Sequence, residues 1–172
     1  ERGVKIDLDW IHAEEVEGLL VSSRLKDLDG VIIAPGFGER GVEGKIRAAN
    51  YSRENNIPCL GICLGLQVMV VEFARNELGL PMANSSEFDV GNKPTPDPAI
   101  HLMDEQRNVT DMGGTMRLGA YVAELLPGSQ VATLYDKTVV SERHRHRYEV
   151  NPAYRNRFEA HGLVCSGQSP DG

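Results

Sequence analysis

Apolar and polar residues alternate over residues 4–10, with Val4, Ile6, Leu8 and Trp10 set against Lys5, Asp7 and Asp9. A period of two predicts a half-buried strand near a sheet edge. Residues 13–25 read as helical or irregular chain. Gly30-Val31-Ile32-Ile33-Ala34 is a β-branched run suited to a fully buried strand, stopped by Pro35-Gly36-Phe37-Gly38. Residues 43–55 switch to helical spacing, with Ile46, Ala49 and, less cleanly, Tyr51 towards one face. Asn55-Asn56-Ile57-Pro58 ends that helix, and residues 59–62 form the next strand. Residues 64–78 read as a helix that is apolar almost all round, and therefore deeply buried.

Strand, helix, strand, helix is the pattern of a parallel sheet covered on both faces. Right-handed crossovers bring the ends of both strands to one edge. The 35–38 loop and Cys63 are therefore expected side by side, where open α/β sheets bind ligands. Residues 91–98, rich in Pro and polar groups, read as a loop. Beyond them the pattern predicts shorter strands over 115–118, 131–135, 146–150 and 163–165, and a helix over 152–161. The expected fold class is α/β: a mostly parallel central sheet with flanking helices and an added antiparallel portion. There is no internal repeat and no low-complexity tract.

The chain has 172 residues, enough for one compact domain with a real core. Its formal net charge of −7 argues against nucleic acid or an acidic membrane surface as a partner. Three cysteines, Cys59, Cys63 and Cys165, cannot all pair within one chain, which points to a reducing, cytoplasmic setting. No run is long and apolar enough to span a bilayer, and no signal-peptide pattern opens the chain. It begins with Glu1 and ends on Ser169-Pro170-Asp171-Gly172. Both ends read as cut from something longer.

The chemistry centres on Gly61-Ile62-Cys63-Leu64-Gly65. A strand that turns sharply into a helix exposes the thiol at the apex and aims a helix N-terminus at it, a setting in which cysteines act as nucleophiles. The N–H of Leu64, just past the nucleophile, and that of Gly36, from the adjacent strand-end loop, are candidate oxyanion donors. The alternative for Cys63 is a buried core thiol whose glycines serve packing alone. Arg143-His144-Arg145-His146-Arg147 admits a phosphate, RNA or metal reading. Alternation would put both histidines on one face of a strand and the arginines on the other. No cluster elsewhere completes a metal site, and the acidic balance opposes nucleic-acid binding. Surface ion pairing with Glu142 and Glu149 accounts for most of this stretch, Arg147 excepted.

Gly-Ile-Cys-Leu-Gly-Leu-Gln at 61–67 resembles the nucleophile segment of class I, triad-type glutamine amidotransferases. Four further strings, at 36–45, 83–88, 113–119 and 142–151, resemble the glutaminase domain of the CTP synthase family. The last two distinguish that family from other amidotransferases. The resemblance implies that Cys63 attacks the side-chain amide of L-glutamine and forms a thioester. It implies Gly36 and Leu64 as oxyanion donors. Glutamine contacts fall to Gly36, Phe37, Leu64, Gly65, Leu66, Gln67, Glu87 and Arg147. An acid such as Glu87 and a planar base such as Arg147 suit the ammonium and carboxylate of a free amino acid. On its own Glu87 reads as a capping or surface acid; its place in Asn84-Ser85-Ser86-Glu87-Phe88 reverses that.

The resemblance further implies ammonia supply for ATP-dependent amination of UTP to CTP. ATP and Mg²⁺ would bind an amidoligase domain not contained here, GTP would act as allosteric activator, and the assembly would be a homotetramer. The Gly-rich 38–44 loop is the candidate for GTP-linked communication. No metal and no cofactor are expected in residues 1–172. Two departures stand out. The family's Pro-Gly-Gly-Phe-Gly is Ala34-Pro35-Gly36-Phe37-Gly38 here, and its downstream His-Pro-Glu string has no match. His12-Ala13-Glu14 reads as surface chemistry. A nucleophile without its base should turn over poorly alone. Another class I amidotransferase, or a non-catalytic glutamine-binding module, remains the alternative.

Overall fold

A computed structural model describes residues 3–18, 20–89, 93–102 and 117–170. They fall into two compact units, divided after Met69.

In the first unit, β1 (Val31–Ile33) pairs in parallel with β2 (Cys59–Gly61), in the register Val31↔Cys59 and Ile33↔Gly61. The crossover between them is α2 (Val42–Glu54), preceded in the chain by α1 (Val21–Leu25) and a 3-10 turn at Ala13–Val16. Helix α2 buries Ile46 and Ala49, as its spacing predicts, together with Val42, Ala48 and the polar Ser52, while Tyr51 is only half-buried. Asn56, at φ 55°, ends it. The left-handed region is one that asparagine tolerates better than most residues. The strand read as fully buried is covered on one face only. Ile33 is buried, but Ile32 and Leu60 point to the other face and are 64% and 57% exposed. The alternating residues 4–10 form no ladder among the described residues, and Val4, Ile6, Leu8 and Trp10 stay exposed. A period of two supplies the side-chain pattern of a strand, but the ladder needs a partner edge.

Helix α3 (Leu64–Asn76) carries the chain across the division. It buries Leu64, Val68, Val70, Val71 and Ala74, yet Leu66 is 51% exposed and two polar side chains, Gln67 and Glu72, are buried.

The second unit holds two three-stranded sheets. In one, β3 (Ala83–Ser85) runs parallel to β4 (Asp97–Leu102), which pairs antiparallel with β7 (Tyr148–Val150). In the other, β5 (Arg117–Leu125) pairs antiparallel with β6 (Val139–His146) and with β8 (Gly167–Gln168). Phe158, on α5 (Arg155–Ala160), is fully buried beside Phe73, with ring centroids 6.3 Å apart. Asn151 ties this region together. Its amide N–H donates to the Ala99 carbonyl at 2.9 Å and its side chain donates to the Pro98 carbonyl at 2.8 Å. Parallel pairing holds where the βαβ pattern was read, and antiparallel pairing is the larger share among the described residues.

Two further strand expectations fail, and a third is split between two sheets. Residues 131–135 lie in α4 (Gln130–Tyr135), which Ser129 caps by accepting from the Ala132 amide. The cap satisfies a helix-end donor and outweighs the β-branched Val131 and Thr133. Residues 163–165 form no ladder; β8 lies just after them. The 146–150 run is broken at Arg147, with His146 ending β6 and Tyr148 opening β7 in the other sheet. Of the 115–118 strand, 117–118 open β5; residues 113–116, part of a string that carried the family resemblance, lie outside the described residues. So do residues 91–92 of the expected 91–98 loop, whose last two residues open β4.

Candidate active site

Cys63 occupies the corner between β2 and α3 with φ 55°. Left-handed backbone costs an L-residue roughly 1–2 kcal/mol, and cysteine has no side-chain bond that offsets it as asparagine or aspartate can. Such strain persists only where surrounding structure enforces it. Here the enforcement is main-chain. The Ile62 N–H donates to the Ile33 carbonyl at 3.0 Å, fastening the corner to the end of β1. The Gly65 N–H donates to the Ile62 carbonyl at 2.9 Å, and the Gln67 N–H to the Cys63 carbonyl at 3.2 Å, which starts the helix.

The flanking glycines are required by contact. A Cβ at Gly61 would stand 2.5 Å from the Gly65 carbonyl carbon and the Leu66 nitrogen. One at Gly65 would stand 2.0 Å from the Ile33 carbonyl oxygen. The small neighbours inferred from the sequence are thus what lets the corner close. The expected proximity of the two strand ends also holds, because a Cβ at Gly36 would lie 3.3 Å from Leu64 Cδ2. Gly36 and Leu64 are therefore brought together. The Leu64 N–H, at the first helical position, has no acceptor within the helix. Phe37 is exposed at the loop tip, Gly65 and Gln67 are buried, and Leu66 is exposed.

Lys45 lies near the start of α2, at the end of the 36–45 string. Its Nζ donates to the Ala34 carbonyl at 3.2 Å and lies 3.2 Å from where a Cβ at Gly36 would be. Burial pushes its ammonium below the ordinary lysine range, and the negative charge of Cys63 partly offsets this. A cation near a helix N-terminus opposes the macrodipole, and that is the sequence signal for such a residue.

In the second unit, Glu87 lies in a 3-10 turn, Ser86–Phe88, directly after β3. The turn is capped by Ser85 Oγ, which accepts from the Glu87 N–H at 3.2 Å. Ser85, not the acid, is the cap. Arg147 sits half-buried at the junction of β6 and β7. Both act electrostatically on Tyr148. Burial raises its phenol above the ordinary tyrosine range, Glu87 raises it further, and Arg147 opposes the rise. Tyr148, next in the chain to Arg147, is a residue to which the sequence analysis assigned no role.

The histidines fall on one face, as alternation predicted, with Arg143 and Arg145 exposed. His146 Nδ1 donates to the Tyr148 carbonyl at 3.0 Å, which leaves Nε2 to accept from His144 Nδ1 at 2.9 Å. Both imidazoles are held below the ordinary histidine range. Burial is the main cause, helped by Arg117 at each and by the His144 charge at His146. Among the described residues no group of three or more His, Cys, Asp or Glu is arranged to hold a metal ion, and no helix is long and apolar enough to cross a membrane. Glu14 of the His12-Ala13-Glu14 string pairs with Arg40 at the surface. Cys165, half-buried, has its thiol pushed up by burial.

Comparison with known proteins agrees with this geometry. The family model described as glutamine amidotransferase class-I matches residues 1–172. The chain is 53% identical over 168 residues to a CTP synthase of Synechocystis sp., and 54% identical over 170 residues to one of Rubrobacter xylanophilus. Each alignment covers 98% of this chain but 30% of the relative, so the chain spans under a third of those proteins. Among solved structures, the glutaminase domain of Trypanosoma brucei CTPS with bound acivicin superposes with a TM-score of 0.86 at 42% identity. That match covers 95% of this chain and 62% of the other. With a strained cysteine corner, its paired glycines and a family match over its whole length, the chain belongs to the class-I glutamine amidotransferases.

Proposed function

We propose that this chain is the glutaminase part of a CTP synthase, hydrolysing L-glutamine to supply ammonia for ATP-dependent amination of UTP to CTP. The observation that carries the reading is the Cys63 corner, set at the β1–β2 sheet edge beside Gly36 and Leu64. The likeness of the whole chain to CTP synthases supports it. So does the acivicin, a glutamine analogue, in the similar glutaminase domain.

In this reading the Cys63 sulfur adds to the side-chain amide carbon of glutamine, and the carbonyl π pair moves onto oxygen. The N–H groups of Leu64 and Gly36 receive that oxyanion. The oxyanion re-forms the carbonyl as the C–N bond breaks, the nitrogen takes up a proton to leave as ammonia, and water then adds to the thioester carbon to release glutamate and the free thiol. Phe37, Gly65, Leu66 and Gln67 line the side-chain slot, and Glu87 and Arg147 take the ammonium and carboxylate of the substrate. ATP and Mg²⁺ act in the synthetase half, GTP activates, and the protein works as a cytoplasmic homotetramer.

The test is Cys63→Ala in the complete protein with its synthetase half. Glutamine-dependent CTP formation should vanish while ammonia-dependent formation persists. Loss of both, or of neither, overturns the assignment.

A further inference from the structure

We propose that Lys45 is a positioning residue for the glutaminase reaction, fixing the turn that presents Gly36 and placing a positive charge beside the Cys63 corner. This rests on the reading of Cys63 as nucleophile.

The argument begins with placement. Lys45 stands near the N-terminal end of α2, where a cation gains nothing from the helix dipole. Its ammonium is partly withdrawn from water, which also disfavours the charge. A lysine stem that merely covered apolar surface would carry its head out to solvent. This one instead turns under the loop. Nζ donates to the Ala34 carbonyl at 3.2 Å and fills the space where a side chain at Gly36 would begin, also 3.2 Å away.

Two consequences follow. The Ala34 carbonyl belongs to the peptide before Pro35, which offers no N–H of its own to pin the loop. Holding that carbonyl sets the tilt of the next peptide, and with it the direction of the Gly36 N–H. The second consequence is electrostatic. A thiolate at Cys63 would attract the Lys45 ammonium, and Cys63 opposes the lowering that burial imposes on the lysine. In the proposed reaction the charge of the adding sulfur moves to the carbonyl oxygen, towards the donor assigned to Gly36. A fixed cation on that side stays favourable throughout the transfer, and in a site withdrawn from water its effect is larger than at the surface.

Lys45→Met keeps length and apolar bulk but removes the charge, and Lys45→Arg keeps the charge. Both are to be made in the complete protein. Lys45→Met should lower kcat for the glutamine-dependent reaction about tenfold or more with KM changed by less than about threefold, and leave ammonia-dependent synthesis intact. Lys45→Arg should recover part of the loss. The charge has its own readout, the ratio of alkylation rates at Cys63 by iodoacetate and iodoacetamide, followed by peptide mapping. The anion should lose its advantage in Lys45→Met by about fivefold and regain it in Lys45→Arg. A kcat and a ratio both within twofold of the parent overturn the proposal. So does a parallel fall of the glutamine and ammonia reactions, which would mark a purely structural lysine. If the parent protein itself shows no glutamine-dependent synthesis, the reading of function fails, and an unchanged alkylation ratio then removes Lys45 separately.

Discussion

The carbonyl oxygen of Ile33 occupies the space that a side chain on Gly65 would need, 2.0 Å from the position of its Cβ. The end of β1 and the first turn of α3 therefore touch main chain to main chain. This contact, with the bond from the Ile62 N–H to the same carbonyl, holds Cys63 at the sheet edge. Gly65→Ala should lower stability by about 2 kcal/mol or more, because neither backbone can yield without moving its element. It should also abolish glutamine hydrolysis. Denaturant midpoints and glutaminase rates check this, and a midpoint equal to the parent's would mean the contact is dispensable.

The left-handed backbone at Cys63 makes a second expectation. Cys63→Gly and Cys63→Ala both remove the nucleophile, but only glycine adopts φ 55° without strain. The glycine variant should therefore be the more stable of the two by about 1 kcal/mol, against the usual ranking. Equal unfolding free energies would show that the corner relaxes once the sulfur is gone.

Arg147 stands at the break between β6 and β7, apart from the exposed Arg143 and Arg145. Arg147→Ala should raise the glutamine KM about tenfold or more, the scale of a lost charge-assisted hydrogen bond. Ammonia-dependent synthesis should be unaffected. Steady-state kinetics with each nitrogen donor decides it, and a joint decline of both reactions would remove the substrate-grip role.

His144 and His146 give a pH dependence of stability. Both titrate below the ordinary histidine value of 6.5 in the folded chain, with Arg117, Glu142 and Tyr148 around them. Below about pH 6.5 the unfolded chain takes up protons that the folded one refuses, so stability falls as pH drops. Each excess proton on the unfolded side is worth about 1.4 kcal/mol per pH unit. The double variant His144→Gln/His146→Gln should flatten that slope between about pH 7 and pH 5.5. Chemical denaturation at several pH values provides the measurement, and parallel slopes would mean other groups carry the acid sensitivity.

Much of the site was legible in the chain because it depends on local steric rules. A thiol flanked by two glycines after an apolar run admits few backbones, and the corner at Cys63 is one of them. The βαβ rhythm of residues 31–61 predicted that Gly36 and Leu64 would meet, since crossover handedness leaves little choice. Where local signals compete, sequence reading failed. Val131 and Thr133 favour a strand, but one serine cap tips the segment into α4. The resemblance had set Arg147 apart from Arg143 and Arg145, but the switch of sheets beside it was not legible in the strand alternation.

The sequence by itself determined the cysteine corner and its glycines, because those follow from residue size and backbone freedom, and its motif strings carried the resemblance to the family. Tertiary structure alone decided which long-range partners form within each unit. Lys45 reaches the Ala34 carbonyl, and Glu87 and Arg147 both act on Tyr148, through chain separations that no local pattern encodes. Long-range packing chooses such partners, and it does so by balancing burial against charge rather than by spacing.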